Sequence, residues 1–127
     1  MSQTMKALPA PLRGAKLHFV GIKGTGMAAL VEILADRGAV ITGSDVPERF
    51  YTDEILEKRG IKTCPFSAQN ITDDTQCVIY SSAYSPDKTP DLAEAARRGI
   101  PLLLYSEALG CVKEGQFTHT RCQSLVI

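Results

Sequence analysis

A short apolar strand that runs into three glycines and then into a helix is the feature that most constrains this chain. The segment covers residues 17–27, LHFVGIKGTGM, with glycines at positions 21, 24 and 26. Glycine accepts a positive φ and lets a ligand approach the main chain closely. The free amides and the positive dipole end of the following helix point to the same place. The segment therefore predicts a turn that binds an anionic group such as a phosphate.

The spacing of these glycines is G-x-x-G-x-G, whereas dinucleotide-binding domains carry G-x-G-x-x-G. Lys23 stands where the second glycine would let a pyrophosphate contact the main chain. This weakens a simple NAD-binding interpretation. A tight strand-to-helix turn without any ligand stays open as an alternative, because such turns recur in α/β proteins.

Helical and strand patterns alternate after the glycine turn. A helix with one apolar face is predicted to end at Gly38, and a strand at 40–42 leads into Gly43, Ser44 and Asp45. Thr52 is predicted to cap a second helix that ends at Gly60. The later elements are strands at 61–64, 77–80 and 101–105, a single helical turn or loop at 67–74, and helices from Thr89 to Gly99 and at 106–109, the last ended by Gly110.

This alternation predicts an α/β fold: a Rossmann-like three-layer domain with a mainly parallel sheet of about five strands and four helices. We expect the domain to span residues 16–110. Residues 1–15 are predicted to form a flexible leader, and residues 111–127 a polar tail. His18, inside the first strand, is expected to be a satisfied core residue and not a catalyst.

Three loops are predicted to meet at the carboxyl ends of the strands, where open α/β sheets bind their ligands. They are the glycine turn, Ser44 with Asp45, and residues 81–84. Asp45 lies 19 residues after Gly26, where a carboxylate could hold a ribose hydroxyl. The convergence favours a nucleotide site over a turn without a ligand.

Composition excludes several classes of partner and site. Fourteen basic and fourteen acidic side chains give a formal net charge of zero, so neither nucleic acid nor a membrane surface is an expected partner. The sequence has no apolar stretch of about 20 residues and no signal-peptide core, so we expect a cytoplasmic protein. No metal site is expected, because the four cysteines form no C-x-x-C pair and His119 with Cys122 supplies only two ligands.

Four motifs in this order give the chain a resemblance to a known family. They are HFVGIKGTGM, GSD after the second strand, SSAY after the fourth, and TPD at the start of the next helix. Together they resemble the N-terminal domain of the Mur ligases over residues 16–110. The pattern is most similar to that of the members that act on UDP-N-acetylmuramate, which runs close to HFVGIGGxGM, GSD, SSAI and NPE.

The resemblance implies a cytoplasmic, ATP-dependent, amide-forming ligase of peptidoglycan precursor synthesis. Such enzymes have three domains: the first holds the UDP-sugar, the second binds ATP and Mg²⁺, and the third brings the amino acid. ATP phosphorylates the carboxylate of the sugar, and the amine of L-alanine attacks the acyl phosphate. By this resemblance the chain would bind UDP-N-acetylmuramate, with no cofactor and no catalytic residue of its own.

The resemblance also implies which residues contact the substrate. Those around the diphosphate would be Gly21, Ile22, Lys23, Gly24, Thr25, Gly26 and Met27, and those on the nucleotide side Ser44, Asp45, Ser82, Ala83 and Tyr84. The family usually has glycine at position 23, and the lysine there would either add charge to the diphosphate or point to solvent. Departures leave the identity of the sugar open, and they lie at Phe66, Tyr84, Thr89, Asp91 and the pair Tyr105–Ser106.

No G-x-x-G-K-[ST] phosphate loop occurs in the sequence. In the family, a strand leading into such a loop would follow near Ile127. We therefore expect a substrate-binding domain that holds a UDP-sugar without turning it over. The alternatives are a murein-recycling ligase that adds a tripeptide to the same sugar, an NAD-binding module of an oxidoreductase or regulator with Asp45 on the adenine ribose, and an interaction domain without a nucleotide.

Overall fold

The computed structural model describes residues 7–114, in which strands and helices alternate. The strands are β1 (Lys16–Val20), β2 (Val40–Ser44), β3 (Thr63–Cys64), β4 (Thr75–Tyr80) and β5 (Leu102–Leu104). The helices are α1 (Thr25–Asp36), α2 (Thr52–Lys58), α3 (Pro90–Arg97) and α4 (Tyr105–Glu114), and a 3₁₀ turn covers Ala68–Asn70.

The five strands form one parallel sheet in the order β3-β2-β1-β4-β5. The chain therefore moves outward from β1 to β3 on one side and then returns to place β4 on the other side of β1. This doubly wound arrangement confirms the predicted α/β fold class. The reversal lies between β1 and β4, and ligands of such sheets bind at this position.

The core lies on both faces of the sheet because successive strand side chains point to opposite faces. Leu17 and Phe19 of β1 belong to a cluster with the apolar side of α1, including Leu30 and Leu34. Val20 belongs to the other cluster, with residues of β4 and α3: Val78, Leu92 and Ala95. The apolar periodicity of α1 therefore predicted its buried face correctly.

The prediction of a flexible leader is wrong for residues 7–15. Leu8, Leu12 and Ala15 are buried in the cluster that contains α1, and the Gly14 amide donates to the Gly38 carbonyl over 2.8 Å. The prolines and the glycine of this segment exclude a helix, but its apolar side chains still cover the core. Residues 1–6 lie outside the described part of the chain.

Three predicted boundaries also need correction. Helix α4 continues through Gly110 to Glu114, and Cys111 is buried in the core; one glycine inside a helix costs only about 1 kcal/mol. Thr52 does not cap α2, because its hydroxyl donates to the Lys23 carbonyl over 2.6 Å. Strand β3 has two residues, not four. His119 and Cys122 of the predicted tail lie outside the described residues.

Candidate functional site

The glycine turn lies at the carboxyl end of β1, beside the reversal point of the sheet. Gly21 has φ +83°, and a Cβ there would lie 2.8 Å from Cε2 of Tyr84 and 3.1 Å from Cβ of Ser81. Both the backbone conformation and the close approach of the loop after β4 therefore require glycine. The turn and the 81–84 loop meet as the sequence predicted.

The first four amides after β1 all donate hydrogen bonds within the protein. Gly21 and Ile22 donate to the Ser44 carbonyl (2.9 and 3.2 Å), Lys23 to Oδ2 of Asp45 (2.8 Å), and Gly24 to the Gly21 carbonyl (3.1 Å). These bonds fasten the turn to the end of β2. The amides of residues 21–24 are therefore engaged before any ligand arrives.

The start of α1 offers the amide donors that the turn does not. Gly24 is the N-cap residue, so no side chain at that position caps the helix, and the first turn carries no acidic residue. The amides of Thr25, Gly26 and Met27 lie in the first turn, where an amide has no acceptor within the helix. The positive end of the helix dipole is thus not neutralised, and it favours an anion at this position.

A cavity of about 250 Å³ adjoins this helix start. Its lining comes from the glycine turn and the ends of β4 and β5: Gly24, Gly26, Met27, Ser81, Ser82, Leu104, Tyr105 and Ser106. The Tyr105 ring covers Gly26, where a Cβ would lie 2.7 Å from its Cζ and hydroxyl oxygen. Tyr105 and Ser106 were not predicted as site residues, although the strand-end rule that selected Ser82 applies equally to residues that follow β5.

Ser44 and Asp45 have different surroundings. The Ser44 side chain is fully buried and donates to Oδ2 of Asp91 (2.9 Å), so it does not reach the cavity. Asp45 accepts from the Lys23 amide, from the Val46 amide (2.7 Å) and from the Tyr84 hydroxyl (3.4 Å). Burial, together with the charge of Asp45, raises the pKa of Tyr84 above its usual value. Tyr84 therefore stays a hydroxyl donor at neutral pH.

Lys23 points into the protein. Its ammonium donates to the Glu48 carbonyl (2.6 Å), lies 3.3 Å from Oδ1 of Asp53 and stands 5.8 Å from the centre of the Phe50 ring. The residue is only 6% exposed, so the alternative that it points to solvent is wrong. Burial alone would raise the pKa of Asp53, but the Phe50 amide and Lys23 outweigh it and lower that pKa.

A larger cavity of about 630 Å³ lies at the carboxyl ends of β2 and β3, against α2. Asp45, Val46 and Cys64 contribute to its lining. The Tyr84 ring, whose hydroxyl bonds to Asp45, lies 5.0 Å from the Phe66 ring in a tilted pair. Lys23 and Asp45 line the larger cavity, whereas Gly24, Gly26 and Met27 line the smaller one.

A buried polar network lies behind the site, and the sequence did not predict it. Asp91 accepts hydrogen bonds from four donors: Nε2 of His18 (2.8 Å), Oγ of Ser44 (2.9 Å), Nδ2 of Asn70 (2.9 Å) and the amide of Ser67 (2.7 Å). The other ring nitrogen of His18 bonds to the Thr42 hydroxyl (2.8 Å). The prediction that His18 is a satisfied core residue is confirmed.

The remaining predicted site residues, Ser82 and Ala83, are exposed in the loop after β4.

The described residues offer neither a reactive thiol at Cys77 nor a metal cluster. Burial raises the pKa of the Cys77 thiol to about 12, so this cysteine is not a nucleophile. Within residues 7–114, no three His, Cys, Asp or Glu side chains are arranged to hold a metal ion. No helix in that part of the chain has the length and apolar character to cross a membrane.

Comparisons with known proteins agree on one family. Residues 16–115 match the model described as Mur ligase family, catalytic domain. The chain is 52% identical over 112 residues to the UDP-N-acetylmuramate–L-alanine ligase of Treponema pallidum. This alignment covers 87% of this chain and 23% of that protein. The ligase of the same name from Desulfitobacterium hafniense is 47% identical over 95 residues, covering 74% of this chain and 21% of the relative.

Solved structures show the same similarity. The UDP-N-acetylmuramate–alanine ligase of Thermotoga maritima superimposes with a TM-score of 0.66 at 31% identity, covering 79% of this chain and 22% of the other. A Neisseria UDP-N-acetylmuramate:L-alanyl-γ-D-glutamyl-meso-diaminopimelate ligase shares the fold, with a TM-score of 0.62 at 22% identity over 72% of this chain and 29% of the other. The chain spans less than a quarter of the length of the curated relatives described above.

Proposed function

Because the chain belongs to the Mur ligase family, we propose that it forms the part of a peptidoglycan-synthesis ligase that binds UDP-N-acetylmuramate. The relatives named for joining this sugar nucleotide to L-alanine support that substrate. One structural observation carries the proposal: the uncapped start of α1 adjoins a cavity that is lined by Gly24, Gly26 and Met27 and lies beside the reversal point of the sheet.

The diphosphate is proposed to bind at the start of α1. The amides of Thr25, Gly26 and Met27 donate to its oxygens, while the hydrogen bonds of residues 21–24 keep the turn in shape. Gly24 lets the phosphate approach the main chain without a Cβ in the way. Ile22 and Lys23 take part as elements of the turn, not through side chains directed at the phosphate.

The nucleoside is proposed to extend along the carboxyl end of β2, where doubly wound folds place it. The larger cavity beside Asp45 and Val46 supplies the room. Asp45 retains one lone pair, on Oδ2, for a ribose hydroxyl, and Tyr84 and the exposed Ser82 and Ala83 are proposed to contact the nucleotide from the loop after β4. Ser44 contributes through its carbonyl, which holds the turn, since its hydroxyl bonds to Asp91.

The mechanistic role proposed for the chain is to position the substrate. Its residues do not fit ATP with Mg²⁺, because the sequence has no G-x-x-G-K-[ST] loop and residues 7–114 contain no cluster of metal ligands. The chain instead holds the UDP end of the substrate so that the distant carboxylate is presented to ATP and L-alanine bound elsewhere in the ligase. Such positioning can contribute several kcal/mol to catalysis, on the order of 7–11 in the best cases.

Gly24→Val is expected to weaken binding of UDP-N-acetylmuramate at least tenfold, because its side chain would stand where the phosphate approaches the helix. A Cβ at this position meets only ordinary contacts, the nearest at 3.5 Å, so the fold should be retained. Isothermal titration calorimetry measures the affinity, and circular dichroism checks the helical content. Ala93→Val, which adds a valine at an exposed position of α3, is the control.

Two results would contradict this proposal. Unchanged affinity in Gly24→Val would remove the phosphate from the start of α1. Tight binding of NAD by the unaltered chain, with no heat from the UDP-sugar, would replace the ligase function with a dinucleotide-binding one.

A further inference from the structure

The loop between β2 and α2, residues 46–51, places two exposed aromatic side chains beside the glycine turn. Tyr51 is 68% exposed, and its hydroxyl lies 2.9 Å from Oγ1 of Thr25, the first residue of α1. Phe50 is 46% exposed and lies against the Lys23 ammonium. Neither ring is required to fill the core. Their position beside the glycine turn therefore indicates a role other than packing.

Lys23 connects this loop to the turn in two ways. Its carbonyl accepts from the hydroxyl of Thr52, and its ammonium bonds to the Glu48 carbonyl and pairs with Asp53. Asp53 in turn accepts from the Phe50 amide over 2.7 Å. A buried ammonium is costly unless it is paired and hydrogen-bonded, and these partners satisfy it only while the 46–51 loop stays in place.

The hydroxyl of Tyr51 lies beside the side chain of the first residue of α1. Thr25 contributes one of the three first-turn donors, and the Tyr51 hydroxyl is held at the side chain of that same residue. A phenol donates well to an anionic oxygen, and such charge-assisted bonds are stronger than neutral ones. An exposed ring that is held only at its hydroxyl can also turn toward a ligand without disturbing the core.

We propose that Tyr51 donates a hydrogen bond to a phosphate oxygen bound at the start of α1, and that Lys23 is a positioning residue that holds the 46–51 loop for this contact. The inference rests on the proposed function, because it requires a diphosphate at that helix start. It assigns Lys23 an indirect role: the lysine acts through Glu48, Phe50 and Tyr51 and does not contact the phosphate.

The test compares UDP with uridine as ligands of the full 127-residue chain, using calorimetry. Tyr51→Phe is expected to weaken UDP binding about tenfold, the usual worth of a hydrogen bond to a charged group, and to leave uridine binding unchanged. Lys23→Met is expected to weaken UDP binding several-fold in the unaltered chain and to have no further effect when Tyr51 is already phenylalanine. Lys58→Met, at the exposed end of α2, is the control.

A purely structural role for Lys23 would give a penalty that adds to that of Tyr51→Phe, and this result would overturn the inference. So would equal UDP affinity in Tyr51→Phe and the unaltered chain; in both cases the proposed function would stand. Failure of the unaltered chain to bind UDP would overturn the function and the inference together. If Lys23→Met does not fold because Asp53 loses its partner, the variant that also carries Asp53→Asn removes both charges. That variant then replaces Lys23→Met in the comparison with and without Tyr51→Phe.

Discussion

Asp91→Ala is expected to lower the free energy of unfolding by about 3–5 kcal/mol, the usual cost of removing one partner from a buried charged network. The Asp91 carboxylate is fully buried and accepts four hydrogen bonds, which come from β1, β2 and the 67–70 segment. Its loss would leave buried donors on His18, Ser44 and Asn70 without their acceptor. Urea denaturation followed by circular dichroism measures the change.

Asp87→Ala is the matched control, because Asp87 is exposed in the turn before α3 and its removal is expected to cost less than about 0.5 kcal/mol. A loss below 1 kcal/mol in Asp91→Ala would show that the network can rearrange or admit water.

The same substitution is expected to weaken ligand binding at the glycine turn. Ser44 bonds to Asp91 through its hydroxyl and holds the glycine turn through its carbonyl, so UDP binding is expected to weaken even where the variant remains folded.

The stabilisation from Asp91 is expected to depend on pH. Burial by itself raises the pKa of Asp91, but hydrogen bonds from His18, Asn70, Ser44 and Ser67 outweigh burial and lower it. A carboxyl whose pKa is lower in the folded than in the unfolded state stabilises fully above its unfolded pKa of about 3.9, and this contribution is lost as the pH falls through the folded value. Asp91→Asn should therefore differ most from the unaltered chain at neutral pH, and the difference should shrink below about pH 4.

The sequence predicted the sheet and the arrangement of the loops at its carboxyl ends because both follow from local patterns. Apolar runs that end in small or polar residues predicted the strands. Gly21 was predicted to lie in a turn, and its φ is positive, as expected. The meeting of that turn with the 81–84 loop follows from the strand-end rule once the strands are known. The Mur ligase motifs then supplied the family, which the comparisons confirmed.

Long-range contacts account for what the sequence missed. His18 and Asp91 are 73 residues apart, and neither signal that Asp91 carried, as an acidic residue in the first turn of α3 and as the end of the TPD motif, pointed to His18 as its partner. Lys23 similarly has its partners in the 46–51 loop and in α2, and neither of the directions predicted for its side chain pointed to them. Leu8 and Leu12 were assigned to a flexible leader because their segment has no helical or strand periodicity. Tertiary packing orders that segment instead.

Gly43→Ala is expected to destabilise the fold by about 2–3 kcal/mol, near the upper end of the usual cost of adding a methyl group to a full core. Gly43 lies in β2 under the side chain of Ile22, and an added Cβ would overlap its Cδ1 and stand 2.8 Å from its Cβ. The end of a side chain can turn away, but the Cβ of Ile22 moves only with the backbone of the glycine turn. Ile22 is itself fully buried, so it has no free space to enter.

Gly110→Ala is the matched control for this substitution. Gly110 lies in α4, and a Cβ there meets nothing within 4 Å, so alanine is expected to stabilise the helix by about 0.5–1 kcal/mol. The two alanines should therefore shift the urea midpoint in opposite directions. Gly43→Ala should also weaken UDP binding, since a displaced Ile22 moves the amide that bonds to the Ser44 carbonyl. A variant that loses stability but binds UDP normally would show that the start of α1 keeps its geometry without the exact fit of the turn onto β2.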